Sequence, residues 1–475
     1  MSDKKEFVRA LNLMDSTAIV IGSMIGSGIF IVSADMSRIL GSPGWLLVAW
    51  VITGLMTLTA ALSYGELAGM MPKAGGQYVY LREAFNPLTG FLYGWTMFMV
   101  IQTGTIAAVA MAFAKFTGVL IPWFAPDNYI IKAGILKVNT LQLLGIASIA
   151  VITYINLKGI KLGKIVQNSF TFTKVAALAG ILLAGILLTK PFHAWPVNVG
   201  VFWDSVTKGG TPLSGLAIVA ALGTAMVGSV FSSDAWNNIT FTAGEVINPK
   251  RNIPLSLFFG TLIVTIIYIC VNFVYLSVLP LHGIEGSTDV IGRGIQYASQ
   301  DRVGTAVLQA LMGDSAAIVM AIFIMISTFG CNNGLILAGS RLFYAMSLDG
   351  LFFKSSRELN EKGVPAKSMI FQAVWCSILC LSGTYGDLLD YVVFAALLFY
   401  ILTIAGIFIL RKKQPDAERP YKAFGYPYLP MLYILLAVTM MIVLLIYKPY
   451  YTWPGLIIVL IGLPVYYVTK NKYKI

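Results

Sequence analysis

The sequence predicts an all-α polytopic membrane protein, and three observations lead to this class. Hydrophobic residues make up 57% of the 475 residues, and charged residues make up only 11%. The mean hydropathy is +0.79, which is typical of membrane proteins rather than of soluble domains. The apolar residues also fall into stretches of about 20 or more, the length of a helix that crosses a bilayer. We therefore divide the chain by spans within a lipid bilayer, not by globular domains.

The hydropathy pattern predicts twelve membrane spans. They run over residues 12–38, 45–71, 87–115, 139–158, 164–189, 212–244, 253–279, 314–345, 368–384, 386–411, 429–447 and 452–469. The first ten residues are polar, so we expect no cleaved signal peptide before the first span.

The basic residues predict the orientation of these spans. With the N-terminus inside, the cytoplasmic segments hold 23 of the 33 lysines and arginines, the outer segments hold 9, and Lys174 lies within a span. The positive-inside rule then places both termini in the cytoplasm of a multi-pass cell-membrane protein. The net charge of +12 follows from this topology, and we expect no nucleic-acid partner.

The first span contains the glycine-rich stretch GSMIGSGIF, residues 22–30. Glycine costs about 1 kcal/mol relative to alanine inside a helix, so the stretch allows two interpretations. In the first interpretation, the helix is broken around a polar cavity, and the N-terminus of its outer half would bind a carboxylate. Alternatively, the small residues permit close packing between helices.

Two charged side chains lie within early spans. Glu66 lies near the cytoplasmic end of the second span, where we expect a structural ion pair rather than a substrate ligand. Lys174 lies ten residues after Lys164, which places it about 15 Å deep at 1.5 Å per residue. A lysine side chain cannot reach the interface from that depth, so Lys174 is a candidate functional residue.

The sixth span contains a second region rich in small polar residues, FSSDAWNN, residues 231–238. Asp234 precedes Glu245 by eleven residues, or about 16 Å. The residues Ser232, Ser233 and Asp234 predict an N-cap, with a new half-helix that starts near Ala235. Asp234 either only caps this half-helix or also holds a substrate ammonium.

Interrupted spans 1 and 6 are five spans apart, which is typical of transporters built from inverted repeats. Spans 1–5 then form one repeat and spans 6–10 the other. The predicted division is a cytoplasmic N-terminus (1–11), the first repeat (12–189), the second repeat (212–411), a cytoplasmic linker (412–428), spans 11 and 12 (429–469) and a cytoplasmic C-terminus (470–475).

Residue types that carry catalysis or bind metals are scarce. The four cysteines all fall within predicted spans, where we expect buried thiols, and the two histidines fall in outer loops. The sequence therefore predicts no catalytic residues, metal site or cofactor, and no enzyme activity. Polar residues of span 8 either face Lys174 or pack between helices; they are Ser327, Thr328, Asn332 and Asn333.

Several motifs together resemble a known family. They are GSMIGSGIF, SYGELAGMMPKAGGQYVYL, FTFTK, FSSDAWNNITFTAGEVINPKRNIPLSL and RPYKAFGYPYLP. The chain resembles amino-acid permeases of the amino acid–polyamine–organocation superfamily, most closely the L-type amino-acid transporter family. The resemblance covers nearly the whole chain. It implies the leucine-transporter fold, a 5+5 inverted repeat with helices 1 and 6 broken at mid-membrane, working by alternating access.

The resemblance also implies a substrate-binding site at the two breaks. The substrate carboxylate is expected at the backbone N–H groups of Gly26, Ser27 and Gly28. The substrate ammonium is expected at carbonyls near Met24 and Phe231, and Phe231 is expected to act as an aromatic gate. The complete expected substrate-binding set is Met24, Gly26, Ser27, Gly28, Phe231, Ser233 and Asp234.

Further expectations concern coupling and partners. Lys174 matches the lysine that replaces a sodium ion in sodium-independent members. An apolar cavity wall would favour neutral amino acids, so we expect a sodium-independent exchanger of neutral L-amino acids; the alternative is a proton-coupled symporter, possibly of cationic amino acids.

Eukaryotic members pair with a glycoprotein through a cysteine after span 3. That loop, residues 116–139, has no cysteine, so we expect no disulfide-linked glycoprotein.

Overall fold

A computed structural model of the protein describes residues 7, 9–133, 136–188, 194–206, 210–382 and 385–473. Most of the predicted N-terminal tail (1–11) and the end of the predicted C-terminal tail (470–475) lie outside these residues. The same holds for Lys190, His193 and Lys208 of the predicted outer loops.

The described chain is mainly helical. In chain order the helices are α1 (Leu13–Met24), α2 (Gly28–Leu40), α3 (Pro43–Met70), α4 (Gln77–Ala84), α5 (Pro87–Thr96), α6 (Gln102–Leu120), α7 (Thr140–Leu157), α8 (Ile160–Leu188), α9 (Trp195–Gly200), α10 (Leu216–Ser232), α11 (Asn238–Phe241), α12 (Pro249–Val278), α13 (Val290–Arg293), α14 (Val303–Met312), α15 (Asp314–Leu348), α16 (Ala366–Ser382), α17 (Tyr385–Lys413), α18 (Tyr428–Tyr447) and α19 (Pro449–Tyr473). A π-helical segment, Met97–Ile101, joins α5 to α6.

Ten helical segments in the described residues are long and apolar enough to cross a membrane. The pair α1 and α2 counts as one of these segments, and so does the unit formed by α5, the π-helical segment and α6. Two further predicted spans, 212–244 and 368–384, coincide with the apolar helices α10 and α16, which have 17 residues each. The protein is therefore a polytopic membrane protein, and the count of twelve spans stays a prediction.

The connection between α6 and α7 contains a β-hairpin that an all-α class does not include. Strands β1 (Tyr129–Ala133) and β2 (Leu136–Asn139) pair antiparallel, with Lys132 opposite Lys137. The pairing satisfies backbone N–H and C=O groups where the chain has left the helical region.

Helices at corresponding positions of the two predicted repeats pack against each other. The pairs are α2 with α10, α3 with α12, α6 with α15, and α7 with α16. In the predicted numbering these are spans 1 and 6, 2 and 7, 3 and 8, and 4 and 9. The shared interfaces place the two chain interruptions side by side.

A capping box stabilises the start of helix α1, and an ion pair attaches this helix to α8. Asn12 and Asp15 form a reciprocal capping box, in which each side chain accepts a hydrogen bond from the other residue's backbone N–H, at 2.9 and 3.0 Å. The Asp15 carboxylate also pairs with the Lys164 ammonium of α8 at 2.6 Å, and it accepts a hydrogen bond from Asn168 at 2.9 Å. The capping box satisfies otherwise unpaired N–H groups, and the ion pair ties α1 to α8.

Glu66 has the structural role that the sequence predicts. The Arg411 guanidinium donates to both carboxylate oxygens of Glu66, at 2.9 and 2.7 Å. The backbone N–H of Ala423 donates to the same carboxylate at 2.7 Å. Because Ala423 belongs to the predicted cytoplasmic linker, these contacts hold the linker against α3, and the expectation of a structural ion pair is confirmed.

The expectation of buried thiols is correct for three cysteines and wrong for the fourth. Cys331, Cys376 and Cys380 are buried, whereas Cys270 is exposed on α12. Hydropathy alone identifies the span but not which face of its helix packs inward, so it could not separate Cys270 from the others.

Candidate functional site

The chain between α1 and α2 is not helical. Helix α1 ends at Met24, Ile25 has an extended conformation (φ −75°, ψ 93°), and α2 begins at Gly28. Backbone carbonyls at the end of α1 then lack their usual helical partners. Side chains from three other helices supply hydrogen bonds to these carbonyls.

Lys174 of α8 provides two of these hydrogen bonds. Its ammonium donates to the carbonyls of Gly22 and Ile25, at 2.8 Å each, and its side chain is fully buried. No carboxylate pairs with Lys174 in the part of the chain that the structure describes. The carbonyl end of a helix carries partial negative charge, so the end of α1 itself compensates the lysine charge.

Helix α15 contacts the same chain segment with two smaller side chains. The Ser327 hydroxyl lies 3.3 Å from the carbonyl oxygen of Ile25, and the Cys331 thiol lies 3.1 Å from that of Ser23. The other polar residues considered in span 8 have different roles. Asn332 donates to Ile106 of α6, and Asn333 donates to Gly163 and Gln167 of α8. Some polar residues of span 8 therefore contact the interrupted segment between α1 and α2, and others form hydrogen bonds to neighbouring helices.

The glycines of GSMIGSGIF allow close approach as well as an interruption. A Cβ on Gly22 would lie 2.1 Å from Gln167 Nε2. A Cβ on Gly28 would lie 2.1 Å from the Ser232 hydroxyl oxygen. The two interpretations of this stretch are therefore compatible, because the same residues pack tightly against α8 and α10.

The second interruption follows α10. This helix ends at Ser232, and α11 begins only at Asn238. Ala235 has φ 63°, a left-handed conformation that alanine rarely adopts. The predicted start of a half-helix near Ala235 is therefore wrong, and so is the predicted cap.

The side chain of Asp234 explains why the cap does not form. Its carboxylate accepts a hydrogen bond of 2.5 Å from the Tyr400 hydroxyl of α17. The N-cap position of α11 is instead Asn237, whose side chain makes no capping hydrogen bond and donates to Gln77 at 2.8 Å. Sequence spacing identified a local cap, but partners that are distant in sequence take both side chains.

Tyr268 of α12 joins the two interruptions, and the sequence analysis did not identify it. Its hydroxyl lies 3.1 Å from the carbonyl oxygens of both Met24 and Ser232. One hydroxyl proton serves one of these acceptors at a time. A tyrosine in an apolar span needs a hydrogen-bond partner for its hydroxyl. That requirement is the feature of the sequence that could have indicated a role for Tyr268.

The remaining expected site residues lie beside these contacts. Ser27 is 1% exposed, Phe231 is 7% exposed in the last turn of α10, and Ser233 is 6% exposed just after it. Their roles in substrate binding and gating stay predictions.

A polar cavity lies beside the second interruption. Its wall includes Met97, Ile101 and Leu335. Its polar lining residues are Gln77, Tyr93, Gln102, Thr105, Asp234, Asn237, Asn238 and Tyr400. The expectation of an apolar wall is therefore wrong for this cavity. Helices α4, α5, α6, α11 and α17, with the segment between α10 and α11, supply these polar groups from distant parts of the chain, so no single stretch of sequence displays them together.

Residues 11–466 match the family model described as "Amino acid permease". The chain belongs to the amino acid permease family.

The permease is similar over nearly its whole length to curated transporters. It is 30% identical to the "Large neutral amino acids transporter small subunit 2" of Homo sapiens over 462 residues, which cover 97% of this chain and 80% of that protein. It is 28% identical to the "b(0,+)-type amino acid transporter 1" of Mus musculus over 469 residues, covering 98% and 88%.

One set of polar contacts in the permease is centred on Glu245, which follows α11. The Glu245 carboxylate and the Arg341 guanidinium form a buried bidentate pair at 3.0 and 3.1 Å. The backbone N–H groups of Ala10 and Leu11 donate to the carbonyl of Glu245 at 2.9 and 3.0 Å. The segment before α1 is thereby held to the segment after α11 and, through Arg341, to α15.

A second set of contacts lies on the side of the permease opposite Glu245, and it joins α2 to α6. Arg38 of α2 donates to the Gln296 carbonyl at 2.6 Å and to Asp301 at 2.8 Å. Lys115 of α6 donates to the Gln300 carbonyl at 2.7 Å. The segment 296–301 therefore connects α2 to α6.

Replacing Tyr268 with phenylalanine is expected to reduce amino acid transport about fivefold to tenfold. The loss of one hydrogen bond between the interruptions is worth about 1 kcal/mol. Initial rates in proteoliposomes measure the effect. Tyr275→Phe, on the same helix, removes a single 3.4 Å contact to the Ile29 carbonyl and should change the rate less than twofold. Equal effects of both variants would contradict a linking role for Tyr268.

Proposed function

We propose that the permease is a sodium-independent amino acid exchanger that works by alternating access. The observation that carries this proposal is the buried Lys174 ammonium, bonded to two carbonyls at the interruption between α1 and α2. A fixed cation at this position supplies the charge that a bound sodium ion would otherwise bring. The relatives described above are named as amino acid transporters, and these names do not favour the alternative of a proton-coupled symporter.

The substrate's main chain binds between the two interruptions in this proposal. The backbone N–H groups at the start of α2 and just before it, those of Gly26, Ser27 and Gly28, receive the carboxylate, because a helix N-terminus favours negative charge. The carbonyls of Met24 and Phe231, with the carboxylate of Asp234, receive the ammonium. Ser233 adjoins this site, and Phe231 closes it.

The Tyr268 hydroxyl gives this arrangement a switchable element. It contacts the Met24 carbonyl, which is one proposed ligand of the substrate ammonium. When the ammonium occupies that carbonyl, the hydroxyl still has the Ser232 carbonyl at the same distance. Substrate binding then costs no buried hydrogen bond at this position.

The proposed architecture is the twelve-span leucine-transporter fold. Its repeats are residues 12–189 and 212–411, with both interruptions at mid-membrane. The contacts between α2 and α10, α3 and α12, α6 and α15, and α7 and α16 support this division, because elements near a two-fold axis contact their own equivalents. The linker 412–428, the additional spans within 429–469 and the cytoplasmic tails 1–11 and 470–475 complete a multi-pass protein of the cell membrane.

Alternating access requires the contacts at the two ends to separate in turn. The pair Glu245–Arg341 and the backbone bonds to Ala10 and Leu11 open on one side. The contacts of Arg38 and Lys115 with the segment 296–301 open on the other. If the empty carrier reorients slowly, one amino acid leaves as another enters, and the result is exchange.

We also propose that the permease works without a disulfide-linked glycoprotein. The loop 116–139 contains no cysteine, so a disulfide from this loop to another subunit cannot form. The relative from Homo sapiens described above is named a small subunit, a description that applies to that protein. Stoichiometric co-purification of a glycoprotein subunit would contradict this proposal.

Purified permease in proteoliposomes tests the exchange mechanism. Vesicles preloaded with a mixture of amino acids should take up labelled amino acid at least tenfold faster than empty vesicles. Uptake should be unchanged when choline replaces sodium. Equal rates in preloaded and empty vesicles would contradict exchange, and loss of uptake in choline would contradict sodium independence.

The substitution Ser27→Leu is expected to abolish uptake while the protein remains folded. A leucine side chain at this buried position fills the space in front of the N–H groups that bind the carboxylate. Ser27→Ala keeps the backbone N–H and should retain most of the activity. Gel filtration in detergent verifies folding of both variants. Unchanged transport in Ser27→Leu would remove the proposed carboxylate site.

A further inference from the structure

The polar cavity beside α11 contains hydrogen-bonding groups of both kinds. The Asn238 side-chain nitrogen is buried and has no hydrogen-bond partner among the described residues, and Asn238 lines the cavity. It is a donor that lacks an acceptor. Buried polar groups are nearly always hydrogen-bonded, so this donor points to a ligand atom that accepts.

Asp234 supplies the complementary group on the same cavity wall. Its carboxylate accepts a hydrogen bond from the Tyr400 hydroxyl and one from the backbone N–H of Ala235. Within the described residues it forms no ion pair with a lysine, arginine or histidine. A carboxylate has about four acceptor positions, so Asp234 retains capacity both for the substrate ammonium proposed above and for one donor on the substrate side chain.

The neighbouring polar side chains are held in place by protein partners. Gln102 donates to the Leu335 carbonyl at 2.8 Å. Gln77 donates to Thr403 at 2.9 Å and accepts from Asn237 at 2.8 Å. Their orientation is therefore fixed, and the cavity keeps a defined arrangement of donors and acceptors.

The π-helical segment Met97–Ile101 contributes to this arrangement. A π-helical turn inserts extra backbone and shifts the side chains that follow it. Met97 and Ile101 of this segment line the cavity together with Gln102 and Thr105 directly after it. Such turns occur frequently at functional sites, which agrees with a binding role for this wall.

We propose that this cavity is the side-chain subsite of the permease and that it selects carboxamide amino acids, glutamine and asparagine. The proposal rests on the amino acid exchange proposed above. A carboxamide presents an N–H₂ donor to Asp234 and a carbonyl acceptor to Asn238. A basic side chain presents donors alone and leaves the Asn238 donor without a partner. An apolar side chain leaves the Asn238 donor without a partner and the remaining acceptor positions of Asp234 unfilled, which is the larger penalty.

Competition for exchange tests this selectivity. Preloaded proteoliposomes take up labelled glutamine, and unlabelled asparagine, leucine, methionine and lysine compete from outside. Asparagine and leucine have nearly the same shape, so their comparison isolates hydrogen bonding. We expect asparagine to inhibit at concentrations at least tenfold lower than leucine, methionine or lysine. Equal inhibition by leucine or lysine would overturn the proposal.

A substitution tests the residue that carries the argument. Asn238→Leu removes the donor at nearly constant volume and should reduce the preference for asparagine over leucine at least tenfold. Asn128→Leu changes an asparagine of the outer loop, which donates to the Trp123 carbonyl, and should leave the preference unchanged. An unchanged preference in Asn238→Leu would overturn the assignment.

The two proposals fail in different ways. Wild-type vesicles that exchange none of the twenty amino acids would contradict the proposed function itself. Wild-type vesicles that exchange leucine or lysine as well as glutamine would leave exchange intact and contradict only the carboxamide subsite. The wild-type competition series decides the subsite even if Asn238→Leu does not fold.

Discussion

Replacing Lys174 with methionine is expected to reduce amino acid exchange at least 100-fold. The substitution removes an ammonium that donates to the carbonyls of Gly22 and Ile25, at 2.8 Å each. Hydrogen bonds from a charged group are worth about 1.5–3 kcal/mol each, and a loss of about 3 kcal/mol corresponds to about 100-fold. Without this donor, α8 no longer holds the end of α1. Initial exchange rates in preloaded proteoliposomes measure the loss.

The matched control is Lys161→Met. Lys161 lies on the same helix but is exposed, so the same change of residue type should leave exchange within about twofold of the wild type. The reconstituted amount of each variant is measured by quantitative gel analysis. Exchange by Lys174→Met within threefold of the wild type would contradict the proposed role of the buried ammonium.

Replacing Gly28 with alanine is expected to reduce exchange by about tenfold to 100-fold. The new Cβ would lie 2.1 Å from the Ser232 hydroxyl oxygen and 3.0 Å from the Ser232 Cα. Overpacking of this kind costs about 1–3 kcal/mol. It forces the start of α2 away from the end of α10 and displaces the N–H groups proposed to bind the carboxylate. An increase in the apparent KM for the substrate should accompany the loss of rate.

Two further variants identify the cause of this loss. Gly180→Ala makes the same change in α8, where the added Cβ would meet no described atom within 4 Å, and it should retain wild-type exchange. The double variant Gly28→Ala/Ser232→Gly removes the clashing side chain and should recover at least a third of the wild-type rate. If the double variant is as impaired as Gly28→Ala, the contact with Ser232 is not the cause.

Local patterns predicted the features that depend on residues close together in sequence. The run of apolar residues identified the membrane protein. Clusters of glycine and serine identified the two regions where helices end, at Met24 and Ser232. The depth of Lys174 within a span indicated that it needs acceptors in the protein interior, because an ammonium in hydrocarbon is costly.

Predictions that depended on which distant group a side chain meets were less successful. Asp234 was expected to cap a half-helix at Ala235, and it bonds to Tyr400 of another helix instead. No local pattern identifies Asn238 or Gln102 as cavity residues, although both line one cavity. A tyrosine such as Tyr268 within an apolar span is compatible with many partners, and its sequence position does not identify the one it takes.

The sequence by itself determined that the chain lies in a membrane, the two regions in which α1 and α10 end, and which basic residue is buried near them. These properties follow from hydrophobicity and local backbone preference, which act over a few residues. Only the tertiary structure decided that Lys174 and Tyr268 complete the two interruptions, and that the cavity wall is polar. Hydrogen-bond partners in a low-dielectric interior are fixed by packing of helices that are distant in sequence, because each buried polar group must find an acceptor or donor within about 3 Å.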